Sequence, residues 1–575
     1  MSPQTATRLQ QLIDVFDKDG FHVDPSQIVP PKLINDQIGL VAEHAVAKNY
    51  GTGEAKRVFY LEGSHREMGF AMGYLAAQAV DRLATEYIDY AIWEMLLGIG
   101  KAPKGGYKPT EKEQELHDLL IEIIYDNIQD GNALANIPDA LKQEVQGLVA
   151  GCAAAEIPVE IKPEDLWAIN TGFDTLLAHL YALKLPKLKK ARFRKLLRIL
   201  LGCNALALIN GASKDGALFG RDFMFPTGGV FQDLACLTIY NPQPPGVEAD
   251  TLPLVSMNAP GMVGSIAAMN VNGVAAGVDV IRGANSNPDQ LGINSLLLVR
   301  DAIENGSTAD EAADHIVNAT RGVTWLYPLA GVGRNGKKDR AGVVEAGMST
   351  AALDYLSYPR DTVEKHLPNK EVFDKHKHTD AVLKNGAMVR WEGYEVPSVF
   401  LADYNPDLWR FMRKRLHKDA FTRLGFINRT RDEHNCPKSY YFAASRGLKG
   451  KVVIASNQCI CPEMRMCSMD WWTSKLTGST ADDSQWRYDE LNRRTLEALE
   501  NGPISYDKAK ELIDFLAPYG DHPNYYEKLP KSPDGNETVI GGSVSLFDLT
   551  HRTIESHFGY YCDDWIKLHL SEYIL

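Results

Sequence analysis

Cysteine is scarce in this chain, with eight in 575 residues. That density excludes a framework built on disulfides, and reduced thiols in a cytoplasmic setting are the expectation. Three of the eight, Cys459, Cys461 and Cys467, crowd into "CICPEMRMC". The run lacks the paired C-x2-C sets of a zinc site, so packed small side chains are the plainer reading. No metal and no cofactor is expected. Basic excess is also missing. The net charge of −13 argues against general nucleic-acid binding, which needs a basic surface to neutralise phosphates. No uninterrupted apolar stretch reaches the roughly 18 residues of a membrane span. The opening "MSPQTATRLQQLIDVFDKDG" has no apolar core of a secretory signal. Internal repeats and low-complexity segments are absent too.

Two kinds of region remain. Residues 1–202 read as α-rich: a short helix, a Pro-rich connector, a strand "VFYL", a turn "GSHREMG" into a helix, then helical periodicity through residues 110–185. After Gly202 the pattern turns to short apolar runs separated by Gly/Asn turns, which read as strands. "NSLLLVRDAIENGSTADEAADHIVNAT" predicts a helical pair, with Ser307 or Thr308 as N-cap of its second member. Two further helices follow in "SQWRYDELNRRTLEALEN" and "SYDKAKELIDFLAPYG", and "SVSLFDLTHRTIESHFG" closes as a hairpin, with His551 and His557 read as surface residues. Strands, helices, then strands argue an α+β class. The charged, aromatic stretch from about 351 to 448 looks like an insertion between two strands. Eight Lys or Arg between Lys184 and Arg198 alternate with leucines. A solvated helix bridging two regions is the plainer reading, and a helix on a lipid surface is the other.

Directly after that basic run stands "GCNALALINGASKDGALFGRDFMF": one thiol, Cys203, after a glycine and at the start of a strand–turn–strand pattern. A catalytic thiol needs a base, because free Cys is mostly protonated at neutral pH. One solution is to cut the bond before it. The freed α-amino group, with a pKa of about 8, can then serve its own side chain. A small residue before the nucleophile and a strand after it suit that scheme, and Gly202 and "NALALI" supply both.

This stretch resembles the start of the mature chain in cysteine-type N-terminal-nucleophile (Ntn) hydrolases. That group includes acyl-CoA:isopenicillin N (6-aminopenicillanate) acyltransferase, bile-salt hydrolases and acid ceramidases. Further matches fall in the acyltransferase branch's order. They are "LEGSHREMGFAMG" (Gly63, Glu67, Gly69, Gly73), "AAMNVNGVAAGVDV", "INSLLLVRDAIENGSTADEA", "KVVIASNQC", "SQWRYDEL" and "GGSVSLFDLTHRTIESHFGYYCDDWIKLHL", spanning roughly residues 58 to 570. The resemblance implies a four-layer αββα Ntn-hydrolase sandwich. Residues 1–202 would be an α-rich propiece kept as the smaller subunit. Residues 203–575 would be the catalytic region, and cleavage would fall between Gly202 and Cys203. Cys203 would be the nucleophile. Arg221 would lie beside it, Asn457 would give an oxyanion donor, and Arg487 matches a second family arginine more loosely, with a structural salt bridge as its plainer reading.

One departure matters. The family's G-R-N-x-D reads "GRDFM" here, with Met224 where a carboxylate normally holds the α-amine. Asp222 is the expected compensating carboxylate. The implied activity is hydrolysis of a linear amide C–N bond in a small-molecule N-acyl amide or thioester, through an acyl-enzyme, with acyl transfer to an amine as a variant. Two alternatives stay open: a phospholipase B-like lipid acyl hydrolase with peripheral lipid contact, and an inactive relative acting as a binding protein.

Overall fold

The computed structural model describes residues 1–97, 108–155, 157, 159–181, 202–225, 227–242, 250–281, 286–349, 384–394, 450–461, 464, 480–514 and 541–574. Before Cys203 lie strands β1 (Phe21–His22), β2 (Gly39–Lys48) and β3 (Ala55–Glu62). The hairpin that Cys203 opens is β4 (Gly202–Leu208) and β5 (Leu218–Met224). There follow β6 (Cys236–Asn241), β7 (Leu254–Asn258), β8 (Ala267–Asn270), β9 (Val274–Gly277) and β10 (Asp279–Val280). Next come β11 (Trp325–Gly331), β12 (Arg340–Ala346) and β13 (Ala387–Trp391). The last are β14 (Val452–Ser456), β15 (Gly541–Asp548), β16 (Thr553–Tyr560) and β17 (Ile566–His569).

These strands form two sheets. The larger runs β1-β2-β3-β6-β7-β8-β9-β11-β12-β13, with β10 paired to β11, and the smaller runs β14-β4-β5-β15-β16-β17. Every described pairing is antiparallel except β3 with β6. β4 and β5 are buried along their whole length, the polar Asn204, Arg221 and Asp222 included, because the hairpin is covered on both faces. The turn after β4 uses Asn210 at φ 50° and Gly211 at φ 82°, left-handed conformations that these two residue types tolerate. One face of the hairpin meets β10 and β11 of the larger sheet. The helices Thr480–Glu500 and Tyr506–Asp514 pack against β14, β4, β5 and β15 of the smaller sheet. The helices Ser295–Asn305 and Ala309–Asn318 pack against the larger sheet, the second capped by Thr308, whose hydroxyl accepts from the Glu311 amide.

The segment before Cys203 is less purely helical than its periodicity suggests. It contributes β1, β2 and β3 to the larger sheet, and β3 lies beside β6. "GLVAEHAVAK" alternates too weakly to declare itself a strand. Its helix His65–Arg82 begins at a capping box of Ser64 and Glu67. That helix touches Asp139–Ala154 backbone to backbone. A Cβ on Gly69 would lie 2.0 Å from the Glu144 carbonyl oxygen, and one on Gly147 would lie 2.1 Å from that of Arg66. Beneath this contact sits a buried charge cluster. His65 Nδ1 lies 2.8 Å from Glu144, His65 Nε2 3.3 Å from Glu304, and Arg300 pairs with both acids at 3.4 and 3.2 Å. Burial alone would lower the His65 pKa, but its bonds to Glu144 and Glu304 raise it to about 9. The cluster ties the segment before Cys203 to the helix Ser295–Asn305.

Two expectations need correction. The stretch 351–448 carries a strand: β13 pairs antiparallel with β12, continuing the larger sheet. The remainder of that stretch beyond 384–394, like the basic run Lys184–Arg198, lies outside the described residues. His557 is also not a surface residue. It is 1 % exposed on β16, packed against Trp565 with Nε2 3.1 Å from Asp514. As the fifth residue of an eight-residue strand it lies inside the hairpin's pairing, opposite Val544, and not at its turn.

Candidate active site around Cys203

β14 pairs with β4 so that Ser456 faces Asn204. The next residue, Asn457, therefore falls beside Cys203. Its Oδ1 accepts the Cys203 backbone N–H at 2.8 Å, and its Nδ2 donates to the Val280 carbonyl at 2.8 Å. One side chain thus links the first strand of the smaller sheet to β10 of the larger. Arg487 comes down from the helix Thr480–Glu500. Its Nη1 donates to the Cys203 carbonyl at 2.7 Å, Asn204 Oδ1 at 2.7 Å and Ser456 Oγ at 2.9 Å, and its Nη2 donates to Asn457 Oδ1 at 2.7 Å. A guanidinium suits this work because its fork of donors is rigid. Arg487 is 1 % exposed, and it fixes both Asn457 and the Cys203 peptide.

Arg221 stands across the hairpin from Ala205, on the face of β5 that Cys203 shares. It donates to the Asn204, Asp222 and Val278 carbonyls and forms an ion pair with Asp279 on β10. Gly277 makes room for it, since a Cβ there would lie 2.5 Å from Arg221 Nε.

Asp222 is placed differently from the expectation. Side chains alternate along a strand, so Asp222 and its partner Asn204 leave the hairpin on the face opposite Cys203 and Phe223. Asp222 accepts from Asn204 Nδ2 and from the Tyr561 hydroxyl, each at 2.7 Å. Burial pushes it up to about 6, against the pull of those two bonds. Two buried carboxylates lie on the Cys203 side: Asp279, 0 % exposed and paired with Arg221, and Asp174, which lines the same cavity as the thiol and accepts from Ser295. Sequence reasoning passed over Asp279, although it is the only charge in "AAMNVNGVAAGVDV".

Gly202 pairs with Met224, whose side chain is buried and whose carbonyl oxygen lies 4.0 Å from Cys203 Sγ. The thiol is fully buried. Burial raises its pKa, Arg221 lowers it, and Asp279 raises it further. The sulfur is therefore held as a thiol.

The thiol borders a small, largely apolar cavity of about 40 Å³. Phe223, Met224 and Phe225 line it from β5 and its end, and Trp325 from β11. The opposite wall comes from before Cys203: Tyr87, Ile169 and Phe173. No sequence pattern marked these three as site residues. The arrangement brings together a thiol, a fixed backbone nitrogen, two guanidiniums, a buried carboxylate and an apolar chamber. Such a set can carry nucleophilic attack on a carbonyl.

No protein-family model matches the chain. It is 25 % identical over 528 residues to an uncharacterized protein of Archaeoglobus fulgidus, covering 90 % of this chain and 66 % of that protein. Among solved structures, a Caenorhabditis elegans N-acylethanolamine-hydrolyzing acid amidase ortholog shares 10 % identity at a TM-score of 0.28, over 60 % of this chain and 93 % of that one. A mutant conjugated bile acid hydrolase from Clostridium perfringens shares 10 % identity at a TM-score of 0.29, over 64 % and 93 %. What the site defines directly is a mixed helix-and-sheet protein with a buried cysteine at the head of a strand.

Proposed function

We propose that this chain is a cysteine Ntn amide hydrolase that activates itself by cutting before Cys203, on a four-layer αββα framework. The observation that carries the reading is the convergence on Cys203. Asn457, Arg487 and Arg221 come from three separate elements and meet at the backbone and the face of one residue. The packing of helices outside two sheets, with β4 and β5 facing β10 and β11, supports the framework.

In the first step the Cys203 sulfur attacks the Gly202 carbonyl carbon. The C–S bond forms, the C–N bond breaks, and the nitrogen takes the thiol proton. Water then hydrolyses the thioester, which leaves a Gly202 carboxylate, a free thiol and a free α-amine. In turnover the amine draws the thiol proton as sulfur attacks the substrate carbonyl. The Asn457 side-chain amide has a second N–H beyond the one given to Val280, and it can donate to the oxyanion. The acyl-enzyme is released by water. The chamber lining favours an apolar acyl group, and nothing in the site speaks for transfer to a second amine over hydrolysis.

Intact mass of the purified protein, wild type beside Cys203→Ala, tests this. Pieces of 202 and 373 residues in the wild type and one chain in the variant are expected. An uncut wild type with ordinary thiol reactivity would overturn the mechanism and favour a non-catalytic binding protein, the reading that Met224 supports.

A further inference from the structure

The resemblance expects a carboxylate to hold the α-amine of a cut chain, and at that position this chain has Met224. We propose that Asp279 supplies it: after cleavage its carboxylate holds the freed α-amino group of Cys203 and sets the pH at which that amine works. The proposal rests on the reading above.

Four observations carry it. First, Asp279 is 0 % exposed, yet neither of its oxygens accepts an aligned hydrogen bond from any described residue. Its one described partner is Arg221, whose Nη2 pairs with Oδ1, so Oδ2 keeps open acceptor sites. A buried carboxylate with free acceptor sites is costly, and that cost falls when a donor arrives. The cut creates one, because an amide N–H becomes an amine with two or three N–H bonds. Second, Asp279 lies near Cys203, close enough for its charge to act on the thiol. It adjoins Val280, whose carbonyl is bridged through Asn457 to the Cys203 nitrogen. Third, it is held there: Arg221 grips it from the Cys203 face of β5, in space that Gly277 leaves open. Fourth, the other acids nearby are engaged elsewhere: Asp174, which lines the cavity with Cys203, takes hydrogen bonds from the Ser295 backbone N–H and hydroxyl. Asp222 lies on the opposite face and already takes hydrogen bonds from Asn204 and Tyr561.

Asp279 is thus a positioning residue for the base. The titratable and charged groups that bear on the amine are Arg221 from β5 and Arg487 from the overlying helix on one side, and Asp279, Asp222 and, from the helix Pro163–Tyr181, the cavity-lining Asp174 on the other. An opposite charge within hydrogen-bonding range typically moves a pKa by about 1–3. Removing Asp279 destabilises the ammonium form, so the amine should titrate at lower pH.

The test follows the p-nitrophenolate burst on acylation of Cys203 by p-nitrophenyl acetate between pH 5 and 10, in cut wild type and in Asp279→Asn. The inflection of the burst rate should fall by about one pH unit or more in the variant. Met224→Asp added to Asp279→Asn should move it back. An inflection that stays in place in a cut, folded Asp279→Asn overturns the proposal. A folded variant that is never cut also overturns it, since Asp279 would then act before the amine exists. If Asp279→Asn does not fold, Asp279→Ser takes its place in the same comparison. A wild type that is never cut fails the underlying reading and this one with it, and that failure is visible without any Asp279 variant.

Discussion

Asn457 and Cys203 lie 254 residues apart in the chain, and the carboxamide of one fixes the backbone nitrogen of the other at 2.8 Å. If the second Asn457 N–H serves the oxyanion, Asn457→Ala should slow acylation of Cys203 by roughly 10²–10³. Cleavage before Cys203 should slow as well. Stopped-flow bursts with a p-nitrophenyl ester and timed intact mass measure the two separately. A melting temperature close to wild type would show that the loss is chemical and not structural.

The chamber beside the thiol is walled partly by the segment before Cys203. Acyl-chain preference should therefore change through residues far from the nucleophile in sequence. Ile169→Trp should cost long acyl esters at least about tenfold more in kcat/KM than it costs acetate, a difference within reach of one filled pocket. Phe173→Ala should shift the preference toward longer chains. Competition between p-nitrophenyl acetate and octanoate reads the ratio. An unchanged ratio in both variants would remove the chamber from the substrate's path.

The His65 cluster predicts a stability loss on the alkaline side. His65 has a folded pKa of about 9, above the ordinary histidine value. Its stabilisation is complete below about pH 6.5 and is lost as pH rises through about 9, a total on the order of 3 kcal/mol. Denaturant midpoints from pH 6 to 10 should fall accordingly. His65→Gln should be less stable at pH 6 and should flatten the profile.

The helix contact at Gly69 predicts a steep size limit. Gly69→Ala would place a methyl 2.0 Å from the Glu144 carbonyl oxygen, where only backbone can yield. A loss of roughly 3 kcal/mol is expected. Gly172→Ala is the control, because its methyl would meet the flexible Ile124 side chain at 3.1 Å. Thermal unfolding should separate the two by about 2 °C.

Much of the site was legible where local pattern and chemistry coincide. Gly202-Cys203 before an apolar strand, and the paired helices with Thr308 as cap, are local signals, and the structure contains the corresponding elements. Asn457 and Arg487 could be named only by resemblance, since nothing local says that a residue after β14 will face Cys203. Asp222 shows the limit of linear reading. One position along a strand reverses the face, so a carboxylate next to Arg221 in sequence points away from it in space. Asp279 was missed because nothing local marks one acid in an apolar strand run as a site residue. β2 escaped because its outer half is exposed and breaks the alternation.

The parallel seam between β3 and β6 gives the proposed cut a consequence of its own. Scission at Gly202 would not release the first 202 residues, which stay hydrogen-bonded into the larger sheet. It would, however, turn one folding molecule into two. Before the cut, β3 finds β6 by loop closure within a single chain. Afterwards the same seam would have to form by encounter between separate fragments. Activation would then act as a ratchet: the mature enzyme would persist by slow unfolding, and once melted it would have no unimolecular route back.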